Sequence, residues 1–243
     1  MPYISLIVAT HTWDAEHSEL FVRAWIEQAK RYGLDSELIV AVGEPLSSAL
    51  RSPTDTEPCD VRFIELPMVS PMVAKNAGIR RARGEFLLST SIDTLFSDEL
   101  VRFLASRELA RGRLYRIDRG DFILMAREHW LDVRGYAELD RSPRHLDTLL
   151  CLAACQGGVQ EEILPETMQI HRQEHGPDTE NGDSIPDEEA AWLVSQMRSL
   201  QAPLIFNTDD WGLGELALTE AGRAIAASSS GIESPFSVSG PCS

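Results

Sequence analysis

Over its first 95 residues the chain alternates short apolar, β-branched runs with stretches of helical spacing. No other feature of the sequence constrains the fold as strongly. Tyr3–Thr10 (YISLIVAT) reads as a buried strand. Leu20, Phe21, Ala24, Trp25, Gln28 and Ala29 then recur at helical spacing up to Tyr32, and Gly33 is a stop signal. Ser36–Val42 and Asp60–Leu66 read as the second and third strands, around a Pro- and Ser/Thr-rich loop at 45–58. Pro71–Arg83 is expected to be a helix entered at proline and closed by Gly84, and Glu85–Ser89 a fourth strand running into Thr90-Ser91-Ile92-Asp93. Strands and helices in this order predict an α/β fold with a mostly parallel central sheet. In such sheets ligands bind beyond the carboxyl ends of the strands. The residues to examine are therefore Thr10–Trp13, Gly43-Glu44 and Ser91–Asp93.

Beyond residue 95 the signals shorten. Ser97-Asp98-Glu99 can cap a helix running to about residue 110. Leu114–Ile117 and Phe122–Met125 read as short strands, and Leu146–Gln156 as an apolar helix closed by Gly157-Gly158. Cys151 and Cys155 share a face of that helix and read as core packing. Glu162–Ile170 is expected to be extended, 171–186 a long polar loop, and Asp187–Leu200 a further helix. From Ser228 the sequence has the composition of a flexible tail.

The net charge of −16 argues against a nucleic-acid partner, which needs a basic surface. The acid is concentrated after residue 146, whereas residues 75–145 are mildly basic. A small anionic ligand would be drawn there, although a solvated Arg-rich face gives the same count. No apolar run approaches the roughly 18 residues that cross a bilayer. The amino-terminal segment reads as a strand and not as a signal peptide, so the cytoplasm is the expected location. The sequence carries no signal for an oligomeric state.

Several common α/β chemistries lack their motif. There is no G-x-G-x-x-G for a dinucleotide, no G-x-x-x-x-G-K-[ST] P-loop, no G-x-S-x-G nucleophile elbow and no H-E-x-x-H zinc site. What remains is a carboxylate, Asp93, after an apolar strand and before a helix. Such a group can hold a hard divalent cation, and the cation a diphosphate. The plainer alternative is that Asp93 caps the next helix, with Ser97 sharing the task.

The stretch from Met72 to Leu88 (MVAKNAGIRRARGEFLL) resembles the A-R-N-x-G-I-x-x-A-x-G-E-[FY]-[IL] segment of family 2 glycosyltransferases of the GT-A fold. In that family the following strand leads into an Asp-x-Asp motif, here Ser91-Ile92-Asp93. Gly120–Glu138 is similar to the family's G-x-x-x-x-x-R…G-G-F-D-E segment. Leu146-Asp147 followed by Gly157 is similar to its E-D-x-x-L…G helix, and His171 stands where many relatives carry a late histidine. The resemblance spans about residues 3–172. It departs from the pattern at Ser91, which has no negative charge, at Leu146, and at Lys75, which replaces a forked guanidinium by a point charge.

The resemblance implies a GT-A-like domain. Residues 1–95 would form the nucleotide-binding half, 96–200 the acceptor-side half and 201–243 a carboxy-terminal extension. It implies transfer of a sugar from a nucleotide-sugar donor to an acceptor hydroxyl, assisted by a divalent cation (Mn2+ or Mg2+) and inverting the anomeric centre. Thr10, His11, Glu44, Lys75, Asn76 and Asp93 would contact the nucleotide. Asp93 and His171 would hold the metal, with His175 a further histidine in reach, and Asp147 would act as base. Trp13 could stack on a base or a sugar. Each has a plain alternative: a turn residue at Glu44, a surface charge at Lys75, loop residues at the histidines and a helix-start carboxylate at Asp147. Ser91 also motivates a second reading, a GT-A-like binding or scaffold module without catalysis. A sugar nucleotidyltransferase shares the sheet layout, but His11-Thr12-Trp13 supplies no Gly-rich loop with arginine.

Overall fold

A computed structural model describes residues 1–10, 15–43, 59–67, 69–117, 121–138, 146–172, 187–200, 205–214 and 219–222. The elements run β1 (Ile4–Thr10), α1 (Ala15–Tyr32), β2 (Ser36–Val42), β3 (Cys59–Glu65), α2 (Pro71–Arg81), β4 (Phe86–Thr90), β5 (Thr94–Phe96) and α3 (Asp98–Ala105). They continue with β6 (Arg113–Arg116), β7 (Phe122–Ala126), α4 (Arg127–Asp132), α5 (Leu146–Gln156), β8 (Gln160–Ile163), β9 (Ile170–Arg172), α6 (Asp187–Ser199) and β10 (Thr219–Gly222).

Strands β3, β2, β1 and β4 lie side by side and parallel, as their apolar runs predict. Every residue of β2 and β4 is buried. The full sheet has eight strands in the order β10-β3-β2-β1-β4-β7-β6-β8, while β5 and β9 form a separate antiparallel pair. Strand β7 runs antiparallel to both β4 and β6, and β10 antiparallel to β3. A switch to antiparallel pairing is invisible to apolar periodicity, which reports burial and not direction. The segment expected to be extended at 162–170 is two strands in two different sheets, with a turn between them.

The two faces of the sheet carry separate apolar cores. One gathers Phe21, Trp25, Phe96, Leu100 and Leu104 from α1, β5 and α3. The other gathers Ala77, Trp130, Tyr136, Leu149 and Trp211 from α2, the region of α4, α5 and the carboxy-terminal part. Burial of each large side chain contributes about 1.5–3 kcal/mol. Helix α2 starts at Ser70, whose hydroxyl accepts from Val73 N at 3.3 Å, with Pro71 in its first turn. It ends earlier than the sequence suggests, because Ala82 is extended. Gly78 lets the helix press on β1: a Cβ there would stand 2.7 Å from Ile7 Cγ2.

Part of the expected carboxy-terminal extension is built into this frame. Arg80 Nη1 donates to Asp209 O at 2.7 Å, and Arg81 Nη1 to Gly212 O at 3.1 Å. Asn207 Oδ1 accepts from Glu138 N at 2.8 Å. Residues 205–214 are thereby tied to α2 and to the loop after α4, and β10 extends the sheet. The tail from Ser228 lies outside the described residues. Among the described residues no helix is long and apolar enough to cross a membrane.

Candidate functional site

The carboxyl edge of the parallel strands is formed by Thr10, Val42 and Thr90. Thr10 is half-buried at the end of β1, beside Val42, and its carbonyl accepts from Gly43 N at 3.0 Å. His11, Trp13, Glu44 and His175 lie outside the described residues.

Past β4 the chain turns through Ser91–Asp93, closed by Thr94 N donating to Ser91 O at 3.2 Å. Asp93 is half-buried, and its Oδ1 is shielded from solvent without a hydrogen-bond partner. The capping alternative does not hold. Ser97 is the N-cap of α3, its hydroxyl accepting from Leu100 N at 3.3 Å. A buried carboxylate oxygen with no donor is costly to the fold. His171 reaches the same neighbourhood through β9, where it pairs with Leu95, two residues after Asp93. Its side chain is exposed. The pairing is anchored by Ser97 N, which donates to Gln169 O at 2.9 Å, and by Gln169 N, which donates to Ser97 Oγ at 3.0 Å.

Lys75 projects from α2 and is 5% exposed. Its ammonium lies 3.0 Å from Asp121 Oδ2 and 3.3 Å from Oδ1, and 5.6 Å from the centre of the Tyr136 ring. Asn76 is fully buried and bonded to the chain itself. Its Nδ2 donates to Tyr136 O at 2.8 Å and Glu138 Oε1 at 2.9 Å, and its Oδ1 accepts from Tyr136 N at 2.8 Å. Gly135 makes this clamp fit: φ is +67°, and a Cβ would stand 2.2 Å from Asn76 Oδ1. Asn76 thus ties α2 to the 135–138 loop.

Asp147 is in the first turn of α5 and half-buried. Burial pushes the Tyr136 hydroxyl well above its ordinary pKa, and the negative charges of Asp147 and Asp121 push the same way. The hydroxyl donates to Ser89 Oγ at 3.0 Å. Burial likewise pushes the Cys151 thiol up to about 12, despite Arg116 beside it. A thiol so protonated is no nucleophile, which agrees with the packing role expected of it.

Sequence reasoning missed Asp121 and Glu138. Asp121 precedes β7, and only because β7 is antiparallel to β4 does its amino end, Phe122, lie beside Thr90. Glu138 links two segments: its Oε1 accepts from Asn76 Nδ2 and, at 2.7 Å, from Gly212 N. The G-Y-A-E spelling was the available signal for Glu138. For Asp121 it was a carboxylate just before an apolar strand.

A divalent cation of the Mg2+ class is typically held by one or two carboxylates plus substrate phosphates. The orphaned Oδ1 of Asp93 suits that role. Among the described residues no three His, Cys, Asp or Glu side chains converge into a metal cage.

No family model matches the sequence, and no curated protein matches it. Solved structures do. The catalytic domain of Drosophila β1,4-galactosyltransferase 7, in complex with xylobiose, superposes with a TM-score of 0.54 at 14% identity, covering 83% of each chain. S. aureus TarS 1–349 with UDP-GlcNAc gives 0.60 at 15%, covering 84% of this chain and 68% of that one. The fold is that of the GT-A-like glycosyltransferases. Another GT-A-like neighbour is the mannosyltransferase PcManGT of Pyrobaculum calidifontis with GDP-Man and Mn2+, at 0.50 and 16%, over 68% of this chain and 55% of that one. In the GT-A-like frame of this chain, Asp93, Lys75, Asp121 and Thr10 occupy the carboxyl edge. The Glu37 carboxylate lies at the opposite edge, at the start of β2.

Proposed function

We propose that the chain is a glycosyltransferase that moves a sugar from a nucleotide-sugar to an acceptor hydroxyl. The observation that carries this is the unpartnered, buried oxygen of Asp93 at the carboxyl edge of a GT-A-like sheet. The ligands named for the neighbours, UDP-GlcNAc and GDP-Man with Mn2+, support a nucleotide-sugar as donor.

Thr10, His11 and Glu44 hold the base and ribose by side-chain hydrogen bonds, and Lys75 meets the diphosphate. Asn76 contributes by fixing the 135–138 loop. Asp93 and His171 would hold a divalent cation, which would supply positive charge to the leaving diphosphate. Asp147 takes the proton of the acceptor hydroxyl as its oxygen attacks the anomeric carbon. The bond to the diphosphate breaks on the opposite side, the nucleoside diphosphate leaves, and the configuration inverts.

The test is a panel of UDP-, GDP- and dTDP-sugars with Mn2+, read by calorimetry and by nucleotide release. Binding of one nucleotide class with release of its diphosphate is the expected result. Absence of binding to every member overturns the proposal. Binding without turnover by any acceptor selects the non-catalytic module, which Ser91 in the place of an acid favours.

A further inference from the structure

The Lys75–Asp121 pair adjoins the turn that carries Asp93. The Thr90 hydroxyl donates to the Asp121 carbonyl, and lies 3.3 Å from the hydroxyl of Thr94, the residue after Asp93. A buried ammonium beside a diphosphate strengthens its binding. A carboxylate gripping that ammonium weakens it twice, by occupying the cation and by repelling the anion. Both Asp121 oxygens face the ammonium, so Asp121 is the incumbent partner that a phosphate must displace or share.

We propose that Asp121 limits how tightly the nucleoside diphosphate is held, by competing with it for the Lys75 ammonium, and so favours release of the spent nucleotide. The inference rests on the glycosyl-transfer reading, which puts the diphosphate over this edge. A bolt between α2 and β7 would be the purely architectural role of the same pair. The two roles differ in what they move. Competition changes affinity for the phosphates alone, whereas a bolt changes folding and the binding of any part of the nucleotide.

Calorimetry on the full chain with Mn2+ separates them, using UDP, GDP and dTDP, and the parent nucleoside of whichever binds. Asp121→Asn is expected to tighten diphosphate binding about tenfold and leave nucleoside binding unchanged. Lys75→Met is expected to weaken diphosphate binding by about the same factor, again sparing the nucleoside. Asp121→Glu restores wild-type affinity. Asp121→Ser repeats the Asn expectation should that variant melt below the assay temperature. Equal or weaker diphosphate binding by Asp121→Asn, with the wild type binding normally, overturns the inference alone. Failure of both the Asn and Ser variants to fold assigns Asp121 to the bolt and also overturns it. A wild type that binds none of the three nucleotides overturns the underlying reading instead.

Discussion

The two edges of the parallel sheet each bury a carboxylate, and they treat it in opposite ways. At the amino edge Glu37 is fully buried and saturated. Its Oε1 accepts from Ser5 Oγ at 2.6 Å and from Arg83 N, and its Oε2 from Arg62 Nη1 at 3.1 Å and Arg83 Nε at 2.9 Å. Burial alone would raise its pKa; the Ser5 and Arg83 hydrogen bonds and the Arg83 charge outweigh it and hold the carboxyl below its ordinary value. At the carboxyl edge Asp93 keeps an oxygen with no donor. A saturated carboxylate ties strands and loops together. An unsatisfied one lowers stability unless another group completes it, which is why the proposed donor site is put at the Asp93 edge.

The largest expected effect comes from breaking the saturated edge. Glu37→Gln leaves Arg62 and Arg83 facing a neutral amide and is expected to cost about 3–5 kcal/mol in urea unfolding. Nucleotide binding by the folded protein should stay unchanged. The loss should also depend on pH. A carboxyl with a lowered folded pKa stabilises above its unfolded pKa, and this contribution disappears as pH falls through the folded value. The gap in unfolding midpoint between wild type and Glu37→Gln should therefore be full at neutral pH and shrink on acidification. A gap independent of pH would show that the ionised form of Glu37 is not what holds this edge.

Asp93→Ala tests the other edge. With Mn2+ and a bound nucleotide-sugar, turnover is expected to fall about 100-fold, while the unfolding midpoint holds or rises. A large loss of stability would make the two edges alike and remove the contrast. The smallest effect sharpens the division of labour beside Asp93. Ser97→Ala removes the α3 cap and should cost about 1 kcal/mol, and Asp93→Ala should show no such cost.

Much of the frame was legible in the residues. The apolar runs of β1, β2 and β4, the Pro71 entry of α2, the Ser97 start of α3, and the 146–156 span of α5 all follow from local patterning. The turn that carries Asp93 after β4 follows from the same patterning, whereas the shielding of its Oδ1 does not. Strand β10 was not legible, since Thr219–Gly222 has no apolar alternation and joins the sheet only where the edge of β3 is open. Lys75 read as a surface charge or a phosphate ligand; its burial and its bond to Asp121 depend on a strand 46 positions away. Asn76, at the centre of the most specific motif, is a buried clamp on the 135–138 loop.

Residue patterning alone sets which segments become strands and helices, and with them the parallel order of β1, β2 and β4 that gives the sheet a carboxyl edge. These are matters of local periodicity, capping and burial. Which charges meet at that edge depends on the long-range strand pairing. The antiparallel return of β7 carries Asp121 to Lys75, and the β5–β9 pairing carries His171 to the vicinity of Asp93. Such meetings join residues far apart in the chain, and they depend on strand direction and register, which no local pattern encodes.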